Sequence, residues 1–457
     1  MASHDTTTAV TTQSTHATSG LRRELGRWDL TAVGVNQVIG GGIFALAAGL
    51  AAETGAWGPW LIAVVAVISM LTALSFAEAG SRFEGTGGPY LYTRAAFGRF
   101  PAFEVGWMMW FTRAASWASV INVLVDALGR YWPAAIGPVG RPLLMTAIIG
   151  AIAWINIRGI RQSSFVVNVL TVAKLTPLLV FIAAGIFFVD WSVFGEPSAP
   201  TLRNLTTGLL LLIFAFGGYE VVPVLGGETR DPRRAIPFAL LMTIVIVAAI
   251  TLLTQIVAFG VLPDIASSRT PLADSAAVFL GAAGAAMITI GAVFSTSGNN
   301  MGQALSGSRN LFALAEQGDL PQWFGRVHPT YRTPVNAILV TSGVSLALAI
   351  TGSFVTMAAA SAISRLLVYV MSCASTIRLR APQFQGEAPP EKTGGVQVRP
   401  AMFLLPLCPT IPALSILCSL LILVGATRQQ LISGTWALAA GAVLYFIATR
   451  NTSREHK

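Results

Sequence analysis

Gly34-Val35-Asn36-Gln37-Val38-Ile39-Gly40-Gly41-Gly42-Ile43-Phe44 and Phe214-Ala215-Phe216-Gly217-Gly218-Tyr219-Glu220 each interrupt an otherwise apolar stretch with adjacent glycines. Each glycine in a helix costs about 1 kcal/mol relative to alanine. In lipid, unpaired backbone groups cost more, unless they line a cavity or meet protein. Close helix packing is the other use of small residues, but a contiguous triplet fits better with a break. There the amino terminus of a resumed helix exposes amides that can hold a carboxylate. The second stretch runs on through Pro223, Gly226 and Gly227, so it too is interrupted near its middle. Paired interrupted helices at corresponding positions of two halves point to a transporter's binding site. Five segments separate the two starts, which fits two five-helix repeats, and an odd number per repeat inverts the second.

Working outward, the chain of 457 residues is 54% hydrophobic and 11% charged, with mean hydropathy +0.67. Soluble domains carry roughly a quarter charged residues, so this chain has too few to clothe a soluble surface. The apolar residues are blocked into segments near the roughly 20 residues that cross a bilayer. Twelve transmembrane helices are expected: 30–50, 57–77, 103–128, 142–157, 165–189, 205–225, 237–262, 276–301, 334–350, 355–377, 403–424 and 431–448. The segment 142–157 is short and borrows from its flanks.

The 29 Lys and Arg residues set the orientation. With the amino terminus inside, one face collects the cations around 22–27, 82–99, 158–161, 230–234, 309–332, 378–399 and 450–457. The other face holds only Arg130, Arg141, Arg203, Arg269 and Arg428, while Arg113, Lys174 and Arg365 fall within segments. Positive residues favour the cytoplasm, so both termini are expected there. The net charge of +9 thereby has a topological origin, and no nucleic-acid partner is needed.

The expected organisation is a disordered cytoplasmic tail (1–24), a first five-helix repeat (25–190), a second (203–380), a cytoplasmic loop (381–400), helices 11 and 12 (401–449) and a cytoplasmic tail (450–457). Residues 1–21, rich in Thr, Ser and Ala, have no apolar core and do not form a signal peptide. Two longer cytoplasmic loops are expected at 80–100 and 306–333, the second with an amphipathic interfacial segment at 319–324. Cys373, Cys408 and Cys418 lack CxxC spacing and read as buried hydrophobes. With only four histidines, no metal site or cofactor is expected.

Several ordered motifs resemble the amino acid–polyamine–organocation (APC) superfamily over about 25–380. They are Gly40-Gly41-Gly42-Ile43-Phe44, Ala77-Glu78-Ala79-Gly80-Ser81-Arg82-Phe83, Gly87-Gly88-Pro89-Tyr90, and Phe214 to Glu220 leading into Glu228-Thr229-Arg230-Asp231-Pro232. Ser308-Arg309, Gly318-Asp319-Leu320-Pro321 and Arg332-Thr333-Pro334 follow. The resemblance implies an all-α integral membrane protein with the 5+5 inverted-repeat (LeuT-like) fold, broken helices 1 and 6, and two extra carboxy-terminal helices. It implies a permease in which Ile39, Gly40, Gly41 and Gly42 hold a substrate carboxylate. Carbonyls around Ala215, Phe216, Gly217 and Gly218 take the ammonium, and Phe216 and Tyr219 are candidate lids.

Lys174 lies about nine residues, roughly 13 Å at 1.5 Å per residue, into its segment, too deep to snorkel. Desolvation disfavours a charged ammonium, and the flanking residues resemble permeases in which this amine replaces a coupling sodium. Lys174 is therefore the expected proton carrier. Sodium is the alternative, with Ser295 and Thr296 as hydroxyl ligands. Glu78 with Arg82, and Glu228 with Arg230, are candidate inner gates or solvated interfacial charges. Glu220 contacts a cationic substrate or belongs to the gating network beside Tyr219. The resemblance implies that Arg113 and Arg365 are structural, satisfied by neighbouring carbonyls.

The expectation is a plasma-membrane secondary transporter working by alternating access, importing a neutral or broad range of amino acids with protons. The alternatives are a sodium-coupled symporter, an amino acid/polyamine exchanger, and a nutrient sensor on the same scaffold. A membrane enzyme would need clustered His, Asp or Ser, and the segments offer only isolated ionisable residues.

Overall fold

The computed structural model describes residues 21–129, 132, 137–195, 199–262, 264–351, 354–385, 396–424 and 428–455. The tail 1–24 thus lies outside them up to residue 20, as do half of loop 381–400 (386–395) and the last two residues. Within the described residues the chain is helical, and its only β pairing is an isolated bridge between Leu25 and Thr229.

Helices lie over each of the twelve apolar segments. The first segment is two helices, α1 (Arg27–Val38) and α2 (Gly42–Thr54). Then come α3 (Gly58–Gly80), α4 (Pro89–Phe97), α5 (Arg99–Gly129), α6 (Gly140–Arg158) and α7 (Ile160–Gly185). The sixth segment is again divided, into α8 (Leu202–Phe216) and a 3₁₀ segment (Tyr219–Glu228). After it follow α9 (Pro232–Val261), α10 (Pro271–Glu316), α11 (Val335–Thr351), α12 (Phe354–Arg378), α13 (Thr410–Val424) and α14 (Arg428–Glu455).

Among the described residues, five helices are long and apolar enough to cross a bilayer: Leu46–Gly80, Gly140–Arg158, Ile160–Phe188, Pro232–Val261 and Pro271–Glu316. Large apolar side chains stand on their outer faces, among them Trp60, Val67, Trp154, Phe165, Val172 and Val245. Lipid covers such faces where water would not tolerate them. The chain is an all-helical, multi-pass membrane protein.

The expected loops need correction. Helix α10 continues well past residue 301, because Ser306 to Ala315 are buried and stay helical, so the loop 306–333 opens as helix. Within 80–100, Pro89–Phe97 forms a buried helix. Inside, α10 packs against α5 and α7, α3 against α9, and α1 against α7, α9 and the 3₁₀ segment. The two interrupted segments meet at this centre. Gly218 has φ 138°, and a Cβ on it would stand 2.7 Å from the backbone carbon of Gln37. Only glycine permits both the left-handed conformation and that approach.

Candidate functional site

The first break runs from Ile39 to Gly41. Ile39 N–H closes the last turn of α1 on Val35 O (2.8 Å), and α2 restarts at Gly42 with Gly41 as its cap. The first amides of α2 have no helical partner, as at any helix start. On the other side, the freed carbonyls are taken by side chains. Lys174, fully buried on α7, donates through Nζ to Asn36 O (2.8 Å) and Ile39 O (2.5 Å). Ser295 Oγ donates to the same Ile39 oxygen (3.1 Å), and Asn299 Nδ2 to Gln37 O (3.0 Å). Thr296 instead turns its hydroxyl onto its own helix, at Ala292 O and Val293 O.

The sixth break is held by charge. Glu220 accepts from Arg113 Nη2, from Tyr369 O–H (3.1 Å) and from Gly218 N–H (2.8 Å), and forms an ion pair with Arg365 (Nε–Oε1, 2.9 Å). Arg113 reaches back through Gln303 Oε1 (3.1 Å), whose Nε2 donates to Asn299 Oδ1 (3.2 Å). One polar chain therefore joins the two breaks. The guanidinium of Arg365 crosses Gly217 so closely that a Cβ there would lie 1.7 Å from Nη1.

Between the breaks lies a cavity of about 230 Å³. The first break contributes Gln37, Val38, Gly40, Gly41 and Gly42, and the sixth contributes Ala215 and Gly217. Helix α5 adds Ser116, Ser119, Val120 and Val123, α10 adds Thr296, Asn299 and Gln303, and α12 adds Arg365. Gln37, Ser116 and Gln303 are buried, Val120 and Val123 are half-buried, and Gly42 is exposed. The cavity thus opens toward the Gly129 end of α5. A mixed polar and apolar hollow of this kind suits a small polar solute.

The amino acid permease family profile matches residues 25–448, which takes in both breaks and every helix that lines the cavity. The chain belongs to the amino acid permease family. An uncharacterized transporter of Mycobacterium tuberculosis is 30% identical over 376 residues, 79% of this chain and 81% of that one. The branched-chain amino acid permease BcaP of Bacillus subtilis is 28% identical over 471 residues, 96% of each. The serine/threonine exchanger SteT of the same organism is 27% identical over 336 residues, 70% of this chain and 75% of that one.

At the other end of α5 the permease carries buried ion pairs. Glu228 receives Arg309 at both oxygens (2.9 and 3.0 Å), with both side chains fully buried. The expected partner Arg230 is replaced by Arg309 because α10 stays helical and carries that residue inward. Glu78 pairs with Arg82 (3.4 Å), as expected, but more tightly with Arg380 (2.5 and 2.8 Å), and it accepts Leu405 N–H. Asp319, placed at an interface by sequence, is buried between Arg94 (2.5 Å) and Arg99 (2.6 Å) and takes the Tyr90 hydroxyl (2.7 Å). Burial, with the Asp319 carboxylate beside it, pushes the Tyr90 phenol well above its ordinary range, so it remains a donor. The backbone joins in: Glu24 and Leu25 N–H donate to Glu228 O, and Arg230 N–H to Leu25 O (2.9, 3.0 and 3.0 Å).

Of the residues singled out from sequence, Gly40, Gly41, Gly42, Ala215, Gly217 and Thr296 line the cavity. Ile39 offers its carbonyl to Lys174 and Ser295. Phe216 is buried to 1% exposure, and Tyr219 stacks on Tyr369 at 5.5 Å; neither lines the cavity. Glu220 does not face it either. Arg113 and Arg365 pair with that carboxylate, where neighbouring carbonyls were expected, and Arg365 reaches the cavity wall. Two arginines and Glu220 inside apolar segments are the signal that was available, since buried charges in a membrane pair with one another.

Proposed function

We propose that the chain is a secondary active amino acid transporter of the plasma membrane, working by alternating access and driven by protons. Its twelve spans form two inverted five-helix repeats (25–190 and 203–380) followed by two further helices, with both termini cytoplasmic. The cation-rich, ion-paired end is then the inner face, and the cavity opens outward. The α-carboxylate of a free amino acid docks on the amides at Gly41 and Gly42, at the positive end of α2.

One observation carries the coupling: Lys174 Nζ bridges Asn36 O and Ile39 O, at the turn that aims those amides. Losing a proton leaves a neutral amine whose two hydrogen bonds lack charge assistance, which loosens the first break; gaining it restores the geometry that holds the carboxylate. A proton can therefore exchange with substrate affinity, as a linked equilibrium requires. Sodium coupling finds less support, because Ser295 and Lys174 already share the Ile39 carbonyl and Thr296 turns back onto its own helix.

The test is uptake by proteoliposomes in sodium-free buffer. Accumulation of a labelled amino acid that rises with an inward proton gradient and collapses with a protonophore supports the reading. Strict dependence on sodium would sink it, and uptake only into vesicles preloaded with amino acid would favour exchange, as in the SteT relative.

A further inference from the structure

Arg365 sets a positive charge on the cavity wall, with Arg113 behind it. Arg113 and Arg365 face one carboxylate, Glu220, and all three are 5% exposed or less. Among the described residues no Asp or Glu lines the cavity, whereas Arg365 does. Across from it, at the first break, the cavity meets the partnerless first amides of α2. Two separate features that attract anions thus face one small space. The opposite need is met once: Gln37 is buried, lines the cavity, and its side-chain oxygen Oε1 has no hydrogen-bond partner while its Nε2 donates to Asn299 O. That oxygen is an acceptor open to an ammonium.

From this arrangement we infer that the preferred substrate is a dicarboxylic amino acid, a free amino acid whose side chain ends in a second carboxylate. The inference rests on the transport reading above and narrows the neutral or broad range favoured by sequence. The α-carboxylate takes the α2 amides, the ammonium turns to Gln37 Oε1, and the side-chain carboxylate meets Arg365. Its arrival brings two carboxylates to two guanidiniums, which removes the excess charge from a water-poor centre. Ser116 and Ser119, which line the same cavity from α5, add hydroxyls for the remaining lone pairs. A neutral side chain would leave the excess in place. Val120 and Val123 add apolar lining from α5.

The experiment uses the purified full chain and its proteoliposomes. Thermal shift and competition of labelled uptake are measured with L-glutamate, L-aspartate, L-glutamine, L-asparagine and L-leucine. The acidic pair should bind roughly tenfold or more tightly than their amides, the range of a charge-assisted hydrogen bond. Arg365→Gln should bring that ratio to near unity, and Arg365→Lys should keep most of it. A purely packing role for Arg365 would lower all five affinities together. Should Arg365→Gln not fold, the wild-type ratio and Arg365→Lys still decide. Leucine or glutamine bound as well as glutamate by the wild type overturns the inference alone, as does a preference that survives Arg365→Gln. Uptake of none of the twenty amino acids overturns this inference and the transport reading together.

Discussion

The two breaks solve the same problem with different chemistry. At the first, freed carbonyls are capped by Lys174, Ser295 and Asn299, and the amides beyond are left to the cavity. At the sixth, a carboxylate is clamped by two guanidiniums, a tyrosine hydroxyl and a backbone amide. Hydrogen bonds to neutral carbonyls contribute about 1 kcal/mol each, so the first break can change partners at modest cost. Taking one member from a buried ion pair costs about 3–5 kcal/mol, so the sixth is an anchor. The difference assigns the moving part of the site to the first span and the fixed part to the sixth.

Substitutions can break that contrast, and the anchor gives the largest effect. Glu220→Ala leaves two buried guanidiniums without their carboxylate and should cost roughly 3–5 kcal/mol, read as a large fall in Tm with loss of uptake. A milder result, with Tm unchanged, would mean the sixth break is no anchor. Gly218→Ala places a methyl against the Gln37 backbone at a φ of 138°. Strain and overpacking together should cost about 2–4 kcal/mol, and separating the two spans should also weaken substrate binding. Lys174→Met removes two hydrogen bonds, roughly 1–2 kcal/mol, yet should abolish proton-driven accumulation while exchange across preloaded vesicles persists. Gradient-driven uptake surviving in that variant would take the coupling away from Lys174. Ser295→Ala should be the smallest change, about 1 kcal/mol, because Lys174 still holds the Ile39 carbonyl. Proton dependence should be unaltered and no sodium dependence should appear.

The backbone interruptions were legible because glycine and proline write them locally: Gly40 to Gly42 and Gly217-Gly218 mark where α1 and α8 end. Lys174 was legible for a related reason, since a lone cation nine residues into an apolar segment has no bland use. What the sequence hid were pairings between distant residues. Glu220 finds Arg113 and Arg365 only after α5, the 3₁₀ segment and α12 have packed, and nothing local to Arg365 says that it reaches the cavity. Glu228 lies beside Arg230 in sequence, so adjacency suggested the wrong partner; helix α10 had to be followed past residue 301 to bring in Arg309. Buried amides such as Gln37 and Asn299 carry no charge to draw notice, yet they form the first links between the breaks.

The bonds from Glu24 and Leu25 to Glu228 and Arg230 use main-chain groups only, and they end on the residue whose side chain holds Arg309. Parting Glu228 from Arg309 must therefore either tow the leading segment along or strip it off like a clasp. Such a clasp is indifferent to which side chains stand at 24 and 25, because every residue but proline supplies the same amide. It answers to chain length instead: a residue added between Leu25 and Arg27 would slip its register and alter how readily that end of the protein opens.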